Sequence, residues 1–125
     1  MKKKFEIEFF GDHLHVTFNE QHAIEPERRR VFWSQLRSAC DEHDTRRVLV
    51  EGELPVEEYE TSDVIDAGKS TSAVPDLWMA FHFPDFQPTD QTELYEVIAR
   101  SNGVRVKFFD DRERALAWLR ANSPK

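Results

Sequence analysis

Apolar and polar residues alternate twice near the start of the chain. Every second residue is apolar in segment 5–9, FEIEF, and the same alternation returns in segment 14–18, LHVTF. Alternation with a period of two is typical of strands that bury one face. Gly11 and Asp12 lie between the two segments and favour a tight turn. The pattern predicts an N-terminal β-hairpin with one wetted face.

Downstream of residue 25 the pattern switches between helical and strand periods. Helices are predicted from Pro26 to about residue 44, at 63–70, after Thr89 and from Asp110 onward, and strands at 47–50, 76–83 and 104–108. Thr61 or Ser62 is expected to cap the second helix, Thr89 the third, and Asp110 with Glu113 has capping-box spacing for the last. The order β-β-α-β-α-β-α-β-α predicts an α/β fold with a mainly parallel sheet and the hairpin as an antiparallel edge.

Composition narrows the class of protein. The 125 residues fit one domain, 1–125, and 12% aromatic residues are too many for a disordered chain. A single cysteine excludes an internal disulfide framework, and the longest apolar run, 77–81, is far too short to span a membrane. The opening Met-Lys-Lys-Lys is followed by no apolar stretch, which favours a cytoplasmic protein. A net charge of −7 argues against general nucleic-acid binding.

Two stretches of this chain resemble a known family. Residues 102–111, NGVRVKFFDD, followed by residues 115–119, ALAWL, resemble the end of SpoIIAA-like proteins of the STAS superfamily, and residues 46–52, RRVLVEG, resemble their central strand. The resemblance implies helices packed mainly on one face of the sheet, a fold shared with CRAL-TRIO lipid-binding domains. It also implies a non-catalytic regulatory or partner-binding module.

The chain departs from that family where its anti-anti-sigma branch carries a phosphorylated serine. That branch begins the helix after the central strand with Asp-Ser-Ser-Gly, whereas this chain has EGELP at 51–55. The first hydroxyl side chains after this point are Thr61 and Ser62, which are possible phospho-acceptors or helix caps. The family phosphoswitch is therefore not carried over.

The acidic residues are concentrated in one window. Residues 48–68 hold seven acids and no base, which leaves 17 acids and 17 bases in the rest of the chain. An acidic contact surface for a basic partner, a weak cation site and a solvated helix start all fit this pattern. The residues predicted for partner contact are Glu51, Glu53, Glu57, Glu58, Glu60 and Asp63.

The sequence contains no motif that is typical of a metal site, a cofactor site or a catalytic site. His13 with His15, and Cys40 with His43, have spacings that place each pair on one side of a strand or helix. A structural zinc site needs four ligands held together, so we expect no metal, no cofactor and no enzyme activity.

The aromatic residues raise a last possibility. A sheet with helices on one face leaves aromatic side chains on the other, where a second copy of the chain, an apolar ligand or a covering loop would cover them. Trp78, Phe81, Phe83 and Phe109 are the predicted residues of such a homodimer or ligand surface. A carrier or sensor of a small apolar ligand is thus the alternative function.

Overall fold

The computed structural model describes residues 5–18, 26–52, 61–84 and 86–121. The strands are β1 Phe5–Phe9, β2 Leu14–Phe18, β3 Arg47–Glu51, β4 Trp78–His82 and β5 Arg105–Phe109. The helices are α1 Pro26–His43, α2 Thr61–Ser70, α3 Asp90–Ser101 and α4 Arg112–Ala121, with a 3-10 turn at Thr71–Ala73. The predicted mixed α/β architecture is confirmed.

The five strands form one sheet in the order β1-β2-β3-β4-β5. β1 pairs with β2 in antiparallel fashion, and the other three pairs are parallel. Each parallel pair is joined by a helix, and crossovers of this kind are right-handed almost without exception. Successive crossovers in the same direction therefore place α1, α2 and α3 on one side of the sheet, and α2 packs between its two neighbours. We call this side the first face.

The first face holds the larger core. Its strand residues are Leu14, Val16, Val48, Val50, Met79 and Val106, and α1 adds Phe32, Trp33, Leu36 and Cys40. Gly68 lets α2 approach α3 closely, because a Cβ atom at that position would lie 2.6 Å from Ile98 Cγ2. This face is held by apolar packing.

The second face of the sheet is covered in part by α4, which packs on β3, β4 and β5. Ala115 and Leu119 of α4 are buried against Leu49 and Ala80. The rings of Trp78 and Trp118 lie 5.3 Å apart between centroids, and those of Phe109 and Trp118 lie 5.8 Å apart. Two of the aromatic residues predicted to be left uncovered on the sheet are therefore packed against the last helix.

Three predicted boundaries differ from the structure for local reasons. α2 begins at Thr61, so Thr61 and Ser62 lie in its first turn and are not caps of a helix starting at residue 63. Asp76 has φ of 64°, which is not extended backbone, and β4 begins only at Trp78. The cap of α4 is Asp111, whose Oδ1 accepts from the Glu113 amide at 3.1 Å, and not Asp110. The predicted Thr89 cap of α3 is confirmed, with its hydroxyl accepting from the Thr92 amide.

Candidate functional site

A group of polar side chains lies on the second face at the carboxyl ends of the central strands. Glu51 ends β3, His82 ends β4, and the two residues are direct partners in the strand register. His15 of β2 pairs with Leu49, two residues before Glu51, and so lies diagonally across from the carboxylate. Open α/β sheets bind their ligands beyond the carboxyl ends of parallel strands. The position therefore makes this group the candidate site.

Glu51 is the centre of the group. His82 Nδ1 donates to Glu51 Oε2 at 2.6 Å, and His15 Nε2 donates to Oε1. Arg112 in the first turn of α4 brings its Nε to 3.6 Å from the same Oε1. We call His15, Glu51, His82 and Arg112 the Glu51 cluster. It connects three strands and the last helix through one carboxylate.

The environment keeps the Glu51 carboxylate ionised. Its side chain is 19% exposed, and burial, the largest single effect, raises the pKa. The hydrogen bonds from His82 and His15, together with the charge of Arg112, act in the opposite direction and outweigh burial. The net result is a pKa of Glu51 below its ordinary value.

A second group, the Asp12 cluster, lies at the opposite end of α4. Asp12 accepts from His13 Nδ1 at 2.6 Å and from Arg120 Nε at 2.9 Å. The His13 hydrogen bond lowers the pKa of Asp12, burial opposes it, and Arg120 lowers it further. The ring of Phe10, which is 50% exposed, lies 5.8 Å from that of His13 and 5.4 Å from that of His15. Phe10 therefore links the two clusters along the hairpin.

The two pairs whose spacing would suit a metal, His13 with His15 and Cys40 with His43, have other surroundings in the structure. His13 and His15 are committed to different carboxylates, Asp12 and Glu51. Cys40 is fully buried, and this burial raises the pKa of its thiol to about 11, whereas His43 stacks on Phe9 with centroids 4.3 Å apart. In the described part of the chain no three His, Cys, Asp or Glu side chains are arranged to hold a metal ion. In the Glu51 cluster each imidazole is bonded to a different carboxylate oxygen, so the carboxylate itself separates them.

The structure describes only part of the predicted acidic contact surface. Glu51 is described, and it is committed to the cluster above. Glu53, Glu57, Glu58 and Glu60 lie outside the described residues, as does the side chain of Asp63. Thr61 and Ser62, the possible phospho-acceptors, are exposed in the first turn of α2. Contact with a partner and phosphorylation at these positions stay predictions.

The four predicted aromatic surface residues lie in two separate places. Trp78 and Phe109 pack with Trp118 of α4 on the second face. Phe81 stacks on Phe108 with centroids 4.8 Å apart and contacts Phe83 at 5.9 Å. Phe108 in turn packs against Phe86 and Tyr95. The four rings therefore do not line one shared surface.

The sequence interpretation did not identify His82 or Arg112 as site residues. The signal for His82 was available, because His82 and Glu51 are both polar residues at the ends of buried strands and parallel strands end at the same edge of a sheet. The signal for Arg112 was absent, since the sequence does not tell which face the last helix covers.

Comparison with known proteins identifies no relative of this chain. No family model, no curated protein and no solved structure matches the chain. Among the described helices, none combines the length and the apolar character that crossing a membrane requires.

Proposed function

We propose that the protein is a non-catalytic, partner-binding regulatory module of the SpoIIAA-like STAS type that receives a basic partner on the hairpin part of its second face. The observation that carries this proposal is the placement of Glu6 and Glu8. Both are exposed on β1, and Glu8 is the register partner of His15 while Glu6 is that of Thr17. Directly paired residues on antiparallel strands share a face, so both acids lie on the side of the sheet that carries Glu51.

The chemistry of Glu51 supports binding over acid–base catalysis. A general acid at neutral pH needs a raised pKa, whereas the pKa of Glu51 is lowered. Its two oxygens already accept from two imidazoles and face a guanidinium. A carboxylate held in this way serves better to fix the positions of its neighbours, and with them the shape of a contact face.

Charge complementarity determines the kind of partner. Glu6 and Glu8 are exposed acids on this face, and elsewhere in the sequence window 48–68 holds the whole excess of negative charge. Opposite surface potentials steer association and suppress wrong partners. The partner expected for this face is a protein that presents lysine and arginine side chains.

Charge reversal tests the proposal. Glu6→Lys with Glu8→Lys should abolish recovery of the partner from an extract of the producing cells, measured by quantitative mass spectrometry of captured proteins. Glu42→Lys with Glu93→Lys is the matched control, because both residues are exposed acids on the helices of the first face and lie outside window 48–68. A separate variant, Glu57→Lys with Glu58→Lys, examines the acidic window. A partner retained equally by the Glu6/Glu8 variant and the control would refute the proposed face, provided that circular dichroism shows both variants folded.

A further inference from the structure

The outer edge of β1 carries backbone groups that lack a hydrogen-bond partner in the described part of the chain. β1 lies at one end of the sheet order and pairs with β2. The Phe10 amide donates to the His13 carbonyl at 2.9 Å and so points toward β2. Because backbone groups alternate in direction along an antiparallel strand, the N–H and C=O groups of Ile7 and Phe9 point away from β2. No described residue bonds to them, so β1 presents an open edge that a further strand can join.

The other edge of the sheet, along β5, is less open because α3 packs beside it. The Val104 amide, directly before β5, donates to the Ala99 carbonyl of α3 at 3.0 Å. Burial raises the pKa of Glu96 in α3, and a hydrogen bond from the Phe108 amide opposes this rise. Both amides alternate with that of Arg105, which points toward the neighbouring strand, so both lie on the outer side of β5. α3 therefore occupies part of the β5 edge, and β1 is the more open of the two.

The side chains beside the open edge determine which strand fits it. Glu6 and Glu8 are exposed on the second face. Ile7 is half-buried and Phe9 is 39% exposed, and both lie on the first face opposite Val16 and Leu14. Opposite charges that face each other on neighbouring strands are favourable, as are apolar pairs. The matching strand has lysine or arginine at every second residue and apolar residues between them.

A second copy of β1 does not match in the antiparallel direction. Pairing of the outward backbone groups of two copies places odd-numbered residues opposite odd-numbered ones. In every such register that overlaps three or more residues of segment 5–9, Glu6 or Glu8 lies opposite another acid. Like charges in direct opposition destabilise a strand pair. The open edge therefore fits a different chain that brings basic side chains.

We propose that the outer edge of β1 accepts an extended segment of the basic partner as an added antiparallel strand. This inference rests on the acidic face proposed above and specifies how the partner is recognised. Backbone hydrogen bonds with Ile7 and Phe9 supply the pairing, and lysine or arginine opposite Glu6 and Glu8 supplies the selection. In this direction the two acids occupy the non-hydrogen-bonded positions, where facing side chains are closest.

A short peptide of alternating lysine and valine, blocked at both ends, is the probe. Its binding is measured by fluorescence anisotropy against a peptide of the same composition in which the lysines and valines form separate blocks. The alternating peptide should bind at least tenfold more tightly, because only its charges and apolar side chains fall on opposite faces of a strand. It should also slow amide exchange, followed by NMR, at Ile7 and Phe9. Equal binding of the two peptides would overturn the proposal.

Methylation of the peptide amides separates strand addition from charge attraction alone. In the added strand the valines opposite Ile7 and Phe9 direct their amides toward β1, whereas the lysine amides point away. N-methylation of the valines should therefore weaken binding at least tenfold, and N-methylation of the lysines should leave it nearly unchanged. Equal affinities of the two methylated peptides, or the reverse preference, would overturn the proposal.

Variants of the protein locate the peptide on the β1 edge. Phe9→Pro removes an outward amide and leaves the hydrogen bonds between β1 and β2 in place, whereas the control Phe9→Ala removes the ring and keeps the amide. Phe9→Pro should bind the peptide at least tenfold more weakly than Phe9→Ala. Equal affinities would overturn the proposal. The methylated peptides need only the wild-type protein, so the test remains valid even where Phe9→Pro does not fold.

Charge reversal distinguishes failure of this inference from failure of the acidic face. Glu6→Lys with Glu8→Lys should abolish peptide binding. Loss of binding in this variant without any effect of valine methylation would overturn strand addition and leave the acidic face in place. Methylation-sensitive binding that survives charge reversal would refute the acidic face itself. A dimer in analytical ultracentrifugation that Phe9→Pro dissociates and Phe9→Ala does not would give the edge to a second copy and overturn the proposal.

Discussion

Each end of α4 is held to the sheet by an arginine that faces a carboxylate bonded to histidine. The two ends differ in how far the carboxylate is exposed. At one end Arg112 faces Glu51, which is 19% exposed and bonded to His15 and His82. At the other end Arg120 binds Asp12, which is 38% exposed and bonded to His13. Eight residues separate the two arginines, a distance of about 12 Å along a helix. The Glu51 cluster and the Asp12 cluster thus form a natural comparison within one molecule.

The clusters differ in the sequence separation between the carboxylate and its histidine partners as well as in the burial of the carboxylate. Asp12 and His13 are neighbours in the chain, and their hydrogen bond orders little beyond the hairpin turn. Glu51 bonds to residues 36 positions before it and 31 positions after it, and so fixes three strands relative to one another. Arg120 is therefore the one tertiary contact of Asp12 in this cluster, whereas Glu51 makes tertiary contacts with both histidines and with Arg112.

The largest expected effect concerns the apolar seam between the two clusters. This seam is formed by Ala115 and Leu119 of α4 with Leu49 and Ala80 of the sheet. Leu119→Ala should lower the free energy of unfolding by about 3 kcal/mol, because Leu119 is 1% exposed and truncation leaves a cavity against Leu49 and Ala80. Chemical denaturation measures the change, with exposed Glu113→Ala as the control. A loss smaller than that of the Glu51 variant described next would mean that the ionic clusters, and not the seam, anchor α4.

Removal of the Glu51 charge should have the next largest effect. Glu51→Gln keeps the size of the side chain but places an amide, with donors of its own, against two imidazole donors. Loss of charge-assisted hydrogen bonds at a mostly buried position should cost about 2 kcal/mol in denaturant unfolding. Glu113→Gln, an exposed acid in the same helix as Arg112, should be near neutral. A near-neutral Glu51→Gln would contradict the tertiary role given to Glu51.

The pH dependence of stability should distinguish the clusters further. Because the pKa of Glu51 lies below its ordinary 4.5, its contribution is present at higher pH and is lost as the pH falls through the folded-state pKa. The stability gap between the wild type and Glu51→Gln should therefore be full near neutrality and close on acidification below about pH 4.5. Thermal melts of both proteins across this range measure the gap. A gap that widens at low pH would reverse the assigned direction of the shift.

The strands of the sheet could be predicted from the sequence, whereas most contacts of the candidate site could not. Alternation in segments 5–9 and 14–18 predicts the hairpin, and the apolar run at 47–50 predicts the buried strand, because each pattern reports burial of its own segment. The docking of α4 on the second face is not visible in this way, since an amphipathic helix packs equally well on either side of a sheet. The contact of Arg112 with Glu51 depends on that docking. His15 and His82 are likewise brought to Glu51 only by the strand register.

The smallest expected effect belongs to the Asp12 cluster. Asp12→Asn should cost less than about 1 kcal/mol, because the Asp12 and Arg120 side chains are 38% and 57% exposed and solvent screens their attraction. Most of this cost should disappear in high salt, whereas the cost of Glu51→Gln should persist, since partly buried pairs are screened less. Denaturant unfolding of both variants at low and high sodium chloride measures the two responses. Equal salt sensitivity would show that burial does not separate the clusters, and a larger cost at Asp12 would move the main anchor of α4 to the hairpin turn.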